Sequence, residues 1–134
     1  LYIYLGKTHY VSDILTVVNN NLKEKNEILL KMRNLTDDLY IELMGRNIDQ
    51  FKYALMENWK LKKLTSKSVS NSWIDDIYNK ALSFGAEAGK VLGAGGGGFL
   101  MVYVPFEKQD YFKEKMKEWK IFKFGIDHIG SRII

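Results

Sequence analysis

The sequence predicts an α+β domain, an antiparallel sheet of about four strands with helices packed on one face. Three observations predict it. The hydrophobic periodicity runs strand, several helices, strand–loop–strand, helix, strand along the chain. The two central strand-like runs, Lys90-Val91-Leu92 and Phe99 to Val104, are joined by a bend with five glycines in six positions, Gly93 to Gly98. The length of 134 residues, 46% hydrophobic and 13% aromatic, suits one core and therefore a single domain over residues 1–134.

Leu1 to Leu5 is apolar and aromatic throughout, as for a strand covered on both faces or nearly so, and Gly6 ends it. Ser12 is a suitable N-cap for a helix bearing Ile14, Leu15, Val18 and Leu22. From Asn26, apolar residues at Ile28, Met32, Leu35, Leu39 and Leu43 recur in steps of three and four, a long amphipathic helix ending near Gly45. Another begins near Asp49, carries Phe51, Leu55 and Trp59, and runs towards Leu64; the short connection makes the two an antiparallel pair. Thr65 to Ser72 is a polar loop leading into a helix with Ile74, Ile77, Tyr78, Ala81 and Leu82, closed by Gly85 as a left-handed cap. Pro105 stops the strand after the glycines. Phe112, Met116 and Trp119 mark a charged helix, Glu107 to Lys120, and Ile121 to Phe124 with Ile126 to Ile134 give the closing strand or strands.

Composition excludes several classes of function. There are no cysteines, so disulfides and thiolate metal sites are absent, and His9 and His128 lack metal-type spacing. No apolar run approaches the ~20 residues that span a bilayer, so the default is a cytoplasmic protein without membrane contact. A net charge of +4 permits an anionic partner without requiring one. The chain opens inside an apparent strand with no starting methionine, which reads as a piece of a longer protein.

The glycine bend is the strongest signal. Ordering Gly93 to Gly98 forgoes roughly 2–5 kcal/mol relative to alanine, a sizeable share of a domain's net stability. Such a cost suggests repeated positive φ, or close approach of something to the bare backbone. The apolar flanks tether the bend inside a packed domain and argue against a flexible linker. Gly93, Gly95 and Gly98 also fit G-x-G-x-x-G, but the dinucleotide fingerprint follows a strand and opens a helix, whereas here a strand follows. No Lys-Ser or Lys-Thr closes the loop as in a Walker A motif.

Lys90 to Phe99, with its order of short strand, glycine loop and apolar strand, resembles the third motif of the GHMP kinase superfamily, which lies in that family's C-terminal domain. Tyr4 to Leu15, Trp59 to Lys63, Ile74-Asp75 and Gly130-Ser131-Arg132 are similar to its branch acting on D-glycero-D-manno-heptose 7-phosphate; Thr8-His9 stands where that branch commonly has Thr-Arg. The resemblance implies a ferredoxin-like fold and transfer of a phosphoryl group from ATP, with Mg2+, to a sugar or sugar-phosphate hydroxyl in a cleft between two domains. It implies that Gly93, Ala94, Gly95, Gly96, Gly97 and Gly98 form the nucleotide or substrate loop. The main phosphate loop and the catalytic acid belong to an N-terminal domain with no counterpart here. No catalytic residue or metal ligand is therefore assigned, and the chain by itself is expected to be inactive.

Lys60, Lys62, Lys63 and Lys67 form either an electropositive edge for a phosphosugar or an ordinary solvated helix face, the second being favoured. Lys62, Lys63 and Arg132 are the candidate contacts for a substrate phosphate. Trp59 reads as core, and Asp75 and Asp76 are either catalytic carboxylates or, favoured by the helix dipole at a first turn, capping residues, the second being preferred. Ser70 and Ser72 read as caps. The alternative function is a freestanding α+β module for RNA or self-association. Phe99 to Val104 lacks the basic neighbours usual on RNA-binding sheets, which argues against nucleic acid.

Overall fold

The computed structural model describes residues 1–6, 25–125 and 129. The elements are β1 (Tyr2–Tyr4), α1 (Asn26–Met44), α2 (Ile48–Thr65), α3 (Ser72–Ser83), β2 (Ala88–Val91), β3 (Phe99–Tyr103), a 3-10 turn (Phe106–Lys108), α4 (Gln109–Lys115) and β4 (Ile121–Phe122). The strands form one sheet in the order β2-β3-β1-β4, antiparallel at every junction. The expected α+β fold is the one observed. His9, the helix beginning near Ser12, the run from Ile126 to His128, and Gly130 to Ile134, which includes Arg132, lie outside the described residues.

Directly opposed residues of an antiparallel ladder share a face. The register aligns Ile121, Ile3, Leu100 and Val91 in one row, and Phe122, Tyr2, Met101 and Lys90 in the next. The first row faces the core. Ile3, Val91, Leu100 and Val102 pack with Ile74, Ile77 and Ala81 of α3 and with Phe112 and Met116 at α4. Burying each large side chain there contributes about 1.5–3 kcal/mol. The second face carries rings. Phe99 lies 5.2 Å from Tyr4, and Tyr2 and Phe124 stack at 4.1 Å with their planes 14° apart. Strand β1 is thus not covered on both faces: Ile3 is fully buried while Tyr2 and Tyr4 remain half-exposed.

The helix α1 ends at Met44 with Gly45 as its cap, where the sequence places its end. Gly45 has φ −78, and the left-handed position falls to Arg46 at φ +60. Asn47 then donates to Glu42 O at 3.0 Å, satisfying an end carbonyl. At α3 the expectation holds. Gly85 (φ +106) donates to Leu82 O at 3.1 Å, and Ala86 to Ala81 O at 3.0 Å. The last helix is shorter than Glu107 to Lys120, because Met116 takes the cap and Trp119 turns back to donate to Met116 O at 3.0 Å. Helix α2 lies along edge strand β2, with Lys52 set over the Tyr103 ring and Asn58 bonded to Lys90. No helix among the described residues is long and apolar enough to cross a membrane.

Candidate functional site

The glycine loop joins β2 to β3 and is pinned from three directions. Leu92 donates to Phe99 O at 2.9 Å and closes the hairpin, while Leu5 of the β1 end donates to Gly98 O at 2.9 Å. Gly96 donates to Val69 O at 2.8 Å. Val69 is the lone aliphatic residue in the polar tract between α2 and α3, and it is 1% exposed. That burial anchors the tract beneath the loop. Around it, Ser68 N–H donates to Ser66 Oγ at 3.1 Å and Ser66 and Ser68 share a hydroxyl contact of 2.6 Å.

Positive φ is used at Gly93, Gly95, Gly96 and Gly98, at +67, +99, +72 and +82. The reasons differ along the loop. A Cβ on Gly95 would sit 2.7 Å from Val69 O, so packing forbids it. At Gly93 and Gly98 a Cβ would meet nothing within 4 Å. Gly96 and Gly97 are buried, while Gly93 is exposed. The loop therefore has a packed inner side and an open rim. Among the described residues, the backbone N–H groups of Ala94 and Gly97 find no hydrogen-bond partner.

Two half-buried ammonium groups lie at the foot of the loop. Lys62 Nζ donates to Val91 O at 3.3 Å and to Gly93 O. Burial, with the charge of Lys90 as a smaller cause, lowers the Lys62 ammonium to about 8. Lys90 Nζ donates to Asn58 Oδ1 at 2.5 Å, and burial lowers its ammonium too. The lysines after Trp59 are thus not one uniform solvated face. Lys60 pairs with Glu57 at 3.0 Å in solvent, whereas Lys62 turns inward to the loop.

Lys63 Nζ reaches Asp75 Oδ1 at 3.4 Å, and Ser70 Oγ donates to the same oxygen at 3.0 Å. The cap of α3 is Asn71, whose Oδ1 accepts from Ile74 N–H at 3.0 Å, rather than Ser70, Ser72 or an aspartate. Asp76 is exposed. Trp59 is core as expected, 1% exposed, with its Nε1 buried and without a partner among the described residues. Among the described residues no cluster of His, Cys, Asp or Glu is placed to hold a metal ion. Two grooves, of about 290 and 210 Å³, lie between α1 and α2, the second reaching Lys90 and Met101; neither is lined by a loop glycine.

Sequence reasoning missed Val69 and the inward turn of Lys62. A signal for the first was present, since an aliphatic residue alone among serines is seldom left in water. For the second there was none: four lysines near one another look alike until a partner is placed beside one.

Residues 37–121, well over half of the chain, match the family described as GHMP kinases C terminal. The chain belongs to the GHMP kinase family. A 65-residue stretch of this GHMP kinase domain is 42% identical to the D-glycero-alpha-D-manno-heptose 7-phosphate kinase of Campylobacter jejuni, covering 48% of the chain and 19% of that protein. The fold is similar to that of mevalonate kinase from L. major, solved with R-mevalonate. The TM-score is 0.69 at 15% identity, over 88% of this chain and 39% of that one. The domain therefore spans well under half the length of the relatives it matches.

Proposed function

We propose that this GHMP kinase domain is the C-terminal part of an ATP-dependent sugar or sugar-phosphate kinase, and that its glycine loop forms one wall of the active site against an N-terminal domain. The observation that carries the reading is the open rim of the loop. Gly93 and Gly98 lack side chains where a Cβ would meet nothing within 4 Å among the described residues. The likeness to a heptose 7-phosphate kinase supports a phosphorylated sugar as substrate.

Phosphoryl transfer requires positioning and charge neutralisation more than covalent participation by the protein. The loop's own groups suit that work. Unpaired N–H groups in a left-handed turn make an anion-binding concavity. Lys62 places positive charge beneath it, and the ammonium of Lys90 lies near that of Lys62. Of the candidate phosphate contacts, Lys63 and Arg132 keep that role in this reading, while Lys62 has its ammonium on the loop. Residues of the N-terminal domain would hold Mg2+, which would neutralise phosphate charge, and would supply the catalytic acid. The enzyme is read as cytoplasmic, and the chain alone as unable to consume ATP in response to a sugar.

Gly98→Asn in the full-length kinase is the test, because asparagine tolerates positive φ and its Cβ would meet nothing within 4 Å among the described residues. The variant is expected to keep its thermal midpoint within a few degrees and to lose about 100-fold or more in kcat/KM. Undiminished turnover of a sugar phosphate would overturn the role of the loop.

A second reading, a freestanding module for RNA or self-association, has one observation in its favour: the exposed rings of Phe99, Phe122 and Phe124. Salt-sensitive retention on single-stranded RNA, or concentration-dependent dimerisation of the chain, would favour it.

A further inference from the structure

We infer that Lys62 is a positioning residue that fixes and polarises the glycine loop through the peptide between Gly93 and Ala94, an assignment that rests on the loop's serving a kinase site. Lys62 stands in the last turns of α2, and its Nζ spans to two carbonyls of the hairpin, Val91 O at 3.3 Å and Gly93 O. These carbonyls flank Leu92, whose own N–H is held by Phe99 O at 2.9 Å. One ammonium thus ties the helix to the first limb of the bend, on both sides of the residue that closes it.

The consequence follows from planarity. In a trans peptide the C=O and N–H point in opposite directions. Drawing the Gly93 carbonyl onto Lys62 turns the Ala94 N–H away from the helix. That N–H has no partner among the described residues. A cation on the carbonyl also polarises the peptide and makes its N–H a stronger donor, as in any hydrogen-bond chain of low local dielectric. Lys62 therefore prepares a donor for an anion without touching the anion itself. Its setting agrees: the ammonium is half-buried and lies near that of Lys90, an expensive place for a charge whose only task were solubility.

The tests are Lys62→Met, which keeps the aliphatic stem and removes the donor, and Lys62→Arg, made in the full-length kinase that carries this chain. Hydrogen exchange of the segment from Leu92 to Phe99 should rise about tenfold or more in Lys62→Met, while α3 and α4 keep their protection. Turnover should fall about 10- to 100-fold in kcat with KM for the sugar within about threefold, and Lys62→Arg should restore part of the loop protection. Unchanged loop exchange would overturn the inference, and so would a raised KM for the phosphorylated sugar alone, which would make Lys62 a substrate contact. Faster loop exchange with full kcat would also overturn it. Absence of turnover in the unsubstituted enzyme would count against the kinase reading, and loop exchange would still decide whether Lys62 holds the loop.

Discussion

Gly95 lies against Val69 so closely that a Cβ on it would sit 2.7 Å from the Val69 carbonyl oxygen and 3.0 Å from its Cα. The same oxygen accepts the Gly96 N–H at 2.8 Å. Backbone meets backbone here, with no flexible side-chain end to give way. Gly95→Ala should therefore cost about 2–4 kcal/mol, from the left-handed φ and the overpacking together. Gly93→Ala, with open space around it, should cost only the conformational part, about 1–2 kcal/mol. Urea unfolding of the two variants checks the contrast, and equal losses would contradict it.

The lowered ammonium of Lys62 has a signed consequence for stability. Its folded value is about 8, against 10.5 ordinarily. Below pH 8 the folded and unfolded chains both hold the proton, and pH has no effect through this group. Between about 8 and 10.5 the unfolded chain holds a proton that the folded chain has released, so stability rises with pH across that window. Lys90 is shifted in the same direction. Denaturant midpoints measured across the window should rise more for the unsubstituted chain than for Lys62→Met. The same gain in both would show that Lys62 does not titrate in this way.

Asn71 starts α3, and its Oδ1 accepts from Ile74 N–H at 3.0 Å. The tract ahead of it carries Val69, on which the loop rests. Asn71→Ala should cost about 1 kcal/mol of stability, the usual worth of such a cap. Asn71→Asp should cost much less, since the carboxylate still accepts and suits the helix N-terminus. Thermal unfolding of the pair distinguishes a cap from a mere surface position.

On the sheet face opposite Ile3, Tyr2 and Phe124 stack at 4.1 Å. Phe124 is the last described aromatic beyond β4, and this contact fixes the chain against β1. Phe124→Ala should destabilise by about 1–2 kcal/mol, combining lost stacking with partial loss of burial. Phe124→Tyr should be nearly neutral. Equilibrium unfolding checks both.

Much of the fold was readable because its signals are local. The steps of three and four from Ile28 to Leu43 place α1, and Gly85 closes α3 by a cap whose bonds involve only residues within one turn. Where a neighbour decides, the reading failed. The charged helix, expected to run to Lys120, stopped at Met116, which is buried and closes it as the cap. Strand β1 looked buried on both faces because aromatic rings score as apolar, whether they meet a core or one another in half-exposed rows.

What the sequence settled alone is the order of elements and the position of the bare bend, since glycine runs and hydrophobic periodicity act over a few residues. Only the tertiary structure decided that one side of that bend is packed on Val69 while the other meets none of the described residues, and that Lys62 rather than its neighbours reaches the loop. Those facts depend on which distant backbone comes within a few ångströms, and no local pattern encodes that distance.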